Sequence, residues 1–411
     1  MPELAVRAGD LPALMTLFDP GQVADPYPAY REWRVQRPVA RPHERLFVLS
    51  RFADCEAVLA DASFGRAGQG DPGPFRGRAR AGTAGGINAR SFLALNPPDH
   101  TRLRRLVSRA FTPARIKALT SRIEMITGDL LDGLDRQAGP FDLVEGLALP
   151  LPVQVICELL GVPPGDRDLL VGWSAALSRA LDPDFLVSDD ERARQRDARD
   201  AFAAYVRGLL PERRNLPGDD LISALVQVHD EGDTLNEGEL ISTVILLLVA
   251  GHETTRSLIG GGALALLRHP GQLAILQEQP ELTGQAVEEL LRYDPPVQLL
   301  ARYALRDAQV AGTTVPAGSF VLMLVGAANR DETVFSDPDR FDVRRDIHRH
   351  LAFGHGIHFC LGAPLARLEA TVALRRLLPV FSHTRIAAEP TWKPNTVLRG
   401  LQRLWLGDAR D

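Results

Sequence analysis

Two stretches of this chain place reactive side chains where packing alone would not ask for them. The first is Phe353-Gly354-His355-Gly356-Ile357-His358-Phe359-Cys360-Leu361-Gly362, followed by a helical run with Pro364, Leu365, Arg367, Leu368 and Glu369. Glycines, Gly354 and Gly362 among them, let a backbone pass close under a flat macrocycle. A cysteine that opens a helix has its thiolate stabilised by backbone N–H groups and the helix dipole. Such a sulfur suits the axial position of a haem iron, where it pushes electron density onto the metal and favours O–O cleavage. A lone cysteine in a glycine-rich turn can also be a small buried apolar residue. His355, His358 and Cys360 raise zinc as well, but no second ligand pair with metal-site spacing stands elsewhere in the sequence.

The second stretch is Ala250-Gly251-His252-Glu253-Thr254-Thr255, which interrupts an apolar run. A carboxylate and a hydroxyl are expensive there without partners or a purpose. Glycine followed by threonine can open a helix locally, because the hydroxyl competes for backbone carbonyls and water enters the gap. Threonine both donates and accepts, and a carboxylate one residue earlier can pass protons, so Glu253 and Thr254 are candidates for proton handling. His252 should matter less, since it points to a different helix face. The bland alternative is a set of polar residues near an exposed helix end. A third and weaker pattern is Glu289-Leu290-Leu291-Arg292, whose charged ends share one helix face.

The elements that carry these residues are mostly helical. Asn236 and Glu239 form a capping-box pattern, and the helical signal runs from there to His269 and Pro270, about thirty residues. Its middle, Val244 to Ala250, is apolar all round, as in a helix threading the interior. Pro97, Pro98 and Asp99 announce a helix with Asp99 as its cap before His100. Ile116, Leu119, Ile123, Ile126, Leu130 and Leu134 predict one amphipathic helix from Thr112-Pro113 to Gly139-Pro140. Strands are expected at Leu46 to Leu49 and between Arg302 and Leu324, where Gly312, Pro316 and Gly318 punctuate short runs. The segment from Gly65 to Gly86 reads as a long mobile loop and Asp189 to Asp200 as a solvated helix face.

Bulk properties narrow the class. The 411 residues are 45% hydrophobic and 24% charged with a net charge of −5, an ordinary globular enzyme and not a nucleic-acid binder. Lys117 and Lys393 are the only lysines, so the many arginines read as a coding bias and not as phosphate recognition. Cys55, Cys157 and Cys360 are odd in number and far apart, which suggests reduced thiols. No apolar run is long enough to span a bilayer, so an unanchored cytoplasmic protein is expected.

The Cys360 loop closely resembles the haem-binding loop of the cytochrome P450 family, and the likeness extends from Asp19-Pro20 and Asp25-Pro26-Tyr27 to the segment after that loop. The resemblance implies a mainly α fold with small β-sheets, the cytochrome P450 fold, as one domain over residues 1–411. It implies haem b with Cys360 as its protein ligand and its propionates held by His100, Arg104, Arg302 and His358. Glu253 and Thr254 match the family's acid-alcohol pair, which is replaced in the peroxide-using branch. Glu289 and Arg292 match a structural network whose third member would be Arg340. Family position lines the substrate pocket with Leu246, Val249, Ala250, Gln298, Leu299, Leu300, Val397 and Leu398. Those walls suit a largely apolar substrate such as a polyketide, terpenoid, steroid or fatty acid, as in secondary metabolism. Arg76, Arg78, Arg80 and Arg90 could hold a substrate carboxylate. The implied enzyme is a monomeric monooxygenase using O2, with electrons from a separate ferredoxin or flavodoxin docking near Cys360, where Arg105 and Arg109 lie. Two other classes stand beside it: a gas-sensing haem protein and a zinc-containing protein.

Overall fold

The computed structural model describes residues 10–66, 91–134, 139–182, 186–229, 232–347 and 349–408. Arg76, Arg78, Arg80 and Arg90 lie outside them, as does most of the expected loop from Gly65. The architecture is mainly α with small sheets. At its centre runs the helix Glu237–Arg268, buried on nearly every side. It starts where expected, because the Asn236 side chain accepts from the Glu239 N–H at 3.0 Å and the Glu239 carboxylate accepts from the Asn236 N–H at 2.9 Å. It stops at His269, where the backbone leaves helical geometry and Pro270 begins the next helix. Around it pack the helices Pro150–Leu160, Asp189–Asn215 and Ala363–Phe381. No helix among the described residues is long and apolar enough to cross a membrane.

Two helix boundaries depart from their sequence signals. The amphipathic pattern from Pro113 breaks into Pro113–Ala118 and Thr120–Asp132. At the joint, Leu119 N–H turns back to the Ile116 carbonyl at 3.0 Å, and the Thr120 hydroxyl takes the Lys117 carbonyl at 2.8 Å. The apolar stripe survives the break because a single tightened turn rotates the two pieces little. Asp99 is the first residue of the helix Asp99–Ala110 and makes no side-chain cap; the Asn96 carbonyl receives the His100 N–H at 2.9 Å.

The main sheet runs in the order Val39–His43, Leu46–Leu49, Phe320–Leu324, Leu299–Ala304, Phe64–Gly65. Leu300 faces Met323 and Arg302 faces Val321 across the antiparallel pair. Side chains alternate along a strand, so Leu300 and Arg302 project to one face and Leu299 to the other. Leu299 accordingly packs with Leu14, Tyr27, Tyr30 and Leu322 under the N-terminal helices.

The pattern at Glu289 becomes a buried clamp. Glu289 and Arg292 are wholly buried and joined at 2.6 and 2.8 Å, a two-pronged contact. The Arg292 guanidinium also donates to the carbonyls of Asn329, Pro338 and Arg340. The third arginine is Arg345, not Arg340. Arg345 Nε lies 3.3 Å from Glu289 and its other nitrogens donate to the carbonyls of Ser336, Asp337 and Arg340. Arg340 offers the clamp only its carbonyl, while its exposed side chain pairs with Asp342 at 3.3 Å. Arg345→Ala should therefore lower stability by about 2 kcal/mol or more, and Arg340→Ala by no more than about 0.5 kcal/mol. Urea unfolding midpoints check this, and a larger loss in Arg340→Ala would reverse the assignment.

Candidate active site

Cys360 sits just before the helix Ala363–Phe381, at the end of a loop that folds onto itself. The Gly354 N–H donates to the Leu351 carbonyl at 2.9 Å, Phe359 N–H to Gly356 at 3.0 Å, and Cys360 N–H to Phe353 at 3.0 Å. Gly354 and Gly356 have φ of 70° and 68°, and a Cβ on Gly356 would come within 2.4 Å of the Leu59 carbonyl oxygen. Gly362 has an ordinary φ, and a Cβ there would reach the sulfur only at 4.0 Å. Burial pushes the Cys360 thiol up, while the Gly362 and Ala363 N–H groups and the Arg104 and Arg367 charges pull it down. A cation against the sulfur would complete what these donors begin. Arg367 holds this region from the side, donating to Glu288 at 2.6 and 2.9 Å while lying over the Phe353 ring. His350 Nε2, 3.2 Å from the same carboxylate, extends that tie.

Beside the loop lies a cluster of basic side chains. The His100 and His358 rings stand 4.3 Å apart, and all four ring nitrogens are buried without a hydrogen-bond partner. Burial, then the charges of Arg104, Arg66 and Arg302, lowers His100 to about 4, and burial, then the charges of Arg66, Arg302, His100 and Arg104, lowers His358 to about 2. Burial alone brings Arg302 down to about 10. None of these residues pairs with a carboxylate among the described residues. The structure thus brings His100, Arg104, Arg302 and His358 together and adds Arg66, a residue with no sequence signal. Concentrated donors without acids fit the carboxylate edge of haem, and Cys360 fits its iron. Among the described residues no group of three His, Cys, Asp or Glu side chains could hold a metal ion, so His355, His358 and Cys360 do not assemble a zinc centre.

In the long helix, the Thr254 hydroxyl donates to the Ala250 carbonyl at 2.8 Å and the Thr255 hydroxyl to Gly251 at 2.9 Å. The helix is not opened here: both hydroxyls back-bond within a continuous ladder. Glu253 is nearly fully buried and carries an ion pair with Lys393. His252 is closer to the chemistry than its helix position suggests: Nδ1 lies 2.9 Å from the Leu248 carbonyl and Nε2 3.6 Å from Glu253. Burial alone would raise the Glu253 carboxyl, but the His252 contact and the Lys393 charge outweigh it and hold the group well below the ordinary carboxylate range. Lys393 was not legible as a partner, because it stands 140 residues away on a loop.

The expected pocket residues divide. Leu246 and Val249 are buried in the central core, while Ala250 is exposed in the middle of an otherwise buried helix. Leu300 lies beside the cysteine loop, 3.8 Å from the position of a Cβ on Gly354. Leu398 is buried and bridges Val297. Three residues go elsewhere. Leu299 joins the N-terminal cluster by strand alternation, and Val397 packs against that cluster. Gln298 turns its amide to the Pro295 carbonyl at 2.6 Å and to the Tyr27 hydroxyl.

The comparisons with known proteins agree with this geometry. The family model described as Cytochrome P450 matches residues 185–401. Cytochrome P450 107B1 of Saccharopolyspora erythraea is 41% identical, covering 97% of this chain and 98% of that one. The Vitamin D(3) 25-hydroxylase of Pseudonocardia autotrophica is 42% identical, covering 92% and 93%. The ligand-free crystal structure of Mycobacterium smegmatis CYP164A2 superposes with a TM-score of 0.88 at 47% identity, over 97% of this chain and all of that one. With a cysteine opening a helix, a buried basic rim beside it and relatives matched end to end, this chain belongs to the cytochrome P450 family, whose members bind haem b through a cysteine thiolate.

Proposed function

We propose that this P450 monooxygenase inserts one oxygen atom of O2 into a largely apolar small molecule, by hydroxylation or epoxidation. The observation that carries the reading is the basic, acid-free cluster beside Cys360, which suits one cofactor edge and little else. The apolar character of Leu246, Val249, Ala250, Leu300 and Leu398, which family position gives to the pocket, supports an apolar substrate. So does the relative named for vitamin D(3) hydroxylation. Haem, when bound, supplies the iron at which dioxygen is activated. Cys360 would hold that iron, and His100, Arg104, Arg302 and His358 would hold the carboxylate edge.

The remaining work falls to the long helix. The Thr254 hydroxyl gives its proton to the Ala250 carbonyl and keeps its lone pairs for an incoming donor. Glu253, fixed as a carboxylate by Lys393 and His252, can take a proton from the solvent side and pass it inward. Lys393, with a small exposed fraction, stands on that solvent side. Electrons come singly from a separate ferredoxin or flavodoxin, because haem accepts one at a time. Arg105 and Arg109, on the helix that carries Arg104, are placed for its acidic surface.

Three outcomes test the reading. Cys360→His should abolish the thiolate-type carbon monoxide band of the reduced protein; survival of that band would remove Cys360 from the iron. Thr254→Ala should bind haem and substrate as before and go on consuming reduced cofactor, but divert much of it into hydrogen peroxide. Product and peroxide measured per reduced cofactor decide it, and unchanged coupling would remove the role of Thr254. Glu253→Gln leaves Lys393 buried without its counter-ion, a loss of about 3–5 kcal/mol in stability beside the loss of the relay. In Glu253→Gln/Lys393→Met the stability should largely return while turnover stays low. Turnover that recovers with the urea midpoint would show that Glu253 serves only structure.

A further inference from the structure

Arg66 is a half-buried cation, with its Nε fully out of water, to which the reading above gives no role. It closes the short edge strand Phe64–Gly65, which pairs with Tyr303 and Ala304 next to Arg302. Burial, and then the Arg302 charge, holds its guanidinium well below its ordinary range. Its Nε is buried without a partner, and no carboxylate among the described residues pairs with it. Among the described residues its guanidinium has one acceptor, the Ala301 carbonyl at 3.4 Å, shared with Arg302, which reaches that oxygen at 2.9 Å. Two guanidinium groups with like charge thus converge on one carbonyl. A protein gains nothing from that arrangement unless an anion joins it.

The placement is enforced by backbone contacts. The Arg66 N–H donates to Asn96 Oδ1 at 2.7 Å, and the Asn96 amide returns a bond to the Arg66 carbonyl at 3.0 Å. This clasp needs Gly65, because a Cβ there would lie 2.3 Å from Asn96 Oδ1. Asn96 also accepts, through its carbonyl, the N–H of His100. One residue therefore fixes both Arg66 and the start of the helix that bears His100 and Arg104. A solvated surface arginine has no such scaffolding.

We propose that Arg66 is a further ligand of the haem's carboxylate edge, positioned by the Asn96 clasp, in addition to the four residues already assigned there. The proposal rests on the haem reading above. It follows that Arg66 contributes both to retention of the cofactor and to the electrostatic setting of the iron, since a cation near the haem favours the reduced, more negative form. The clasp makes Gly65 and Asn96 positioning residues that act through Arg66.

The test is made on holoenzyme carrying ordinary haem and on protein refilled with haem whose propionates are methyl esters. Haem transfer to excess apomyoglobin gives retention, and redox titration gives the midpoint potential. Arg66→Gln should release ordinary haem about tenfold to a hundredfold faster, as expected for losing a charge-assisted hydrogen bond. Its midpoint potential should fall. Arg66→Lys should keep the wild-type potential while releasing haem faster than wild type, and Gly65→Ala, which displaces the clasp but leaves Arg66 in place, should also release haem faster. With the esterified haem, wild type and Arg66→Gln should release at the same rate. An Arg66→Gln protein with wild-type release and potential would overturn the proposal, as would a release defect that persists undiminished with the ester. If Arg66→Gln does not fold, Gly65→Ala and Arg66→Lys decide by the same comparison of the two haems. A wild-type chain that takes up no haem through a thiolate would instead overturn the underlying cofactor reading, and the carbon monoxide band shows that directly.

Discussion

The site depends on a charge pair far from the substrate, Glu289 with Arg292. Both are wholly buried, and between them they hold the carbonyls of Asn329, Pro338 and Arg340, the backbone of Asp342 and the side chain of Arg345. A buried ion pair is no better for stability than well-packed apolar residues, but losing one member is costly. What the pair supplies here is a fixed path for an irregular stretch of chain. Asn329 passes that constraint on: its side chain accepts the Leu351 N–H at 2.7 Å, and Leu351 opens the turn that ends at Cys360. Arg367 on Glu288 closes the circuit from the far side of the cysteine. The sulfur is thus held by side chains from one helix, Thr283–Tyr293, on both flanks of its loop.

Much of this was legible locally and little of it at long range. The cysteine loop was readable because its glycines are demanded by positive φ and by the approach of Gly356 to the Leu59 carbonyl, both imprinted on residue type. The long helix was readable because Asn236 and Glu239 cap it within four residues. Pairings across the chain leave no such imprint. Arg340 and Arg345 lie on one segment and carry the same charge, and only the turn at Asp342 decides which side chain goes inward. Lys393 and Arg66 had neighbours in sequence that said nothing of Glu253 or Arg302. Leu299 and Val397 pack with the N-terminal cluster for a related reason: apolar type shows burial but not which of two cores receives it.

Two kinds of electrostatic order serve the candidate site. At the rim, like charges are gathered and left for an external anion to neutralise, which links their stability to the occupant. In the long helix, the charge is neutralised internally, so Glu253 remains ionised in a place that would otherwise protonate it. The first arrangement recruits a ligand and the second keeps a buried carboxylate charged, and so ready to accept a proton.

The identity of the cation facing Glu253 carries its own consequence. In a chain that is otherwise armed with arginine, the partner is Lys393, one of two lysines. A guanidinium there would be a rigid planar fork, whereas the ammonium is a compact charge on a flexible stem, its pKa lowered by burial against the opposing pull of Glu253. The rim arginines are lasting charges and serve as fixtures. Lys393 is the movable kind, so the water-facing end of the helix's acid is closed by a charge on a flexible stem that can swing aside and return.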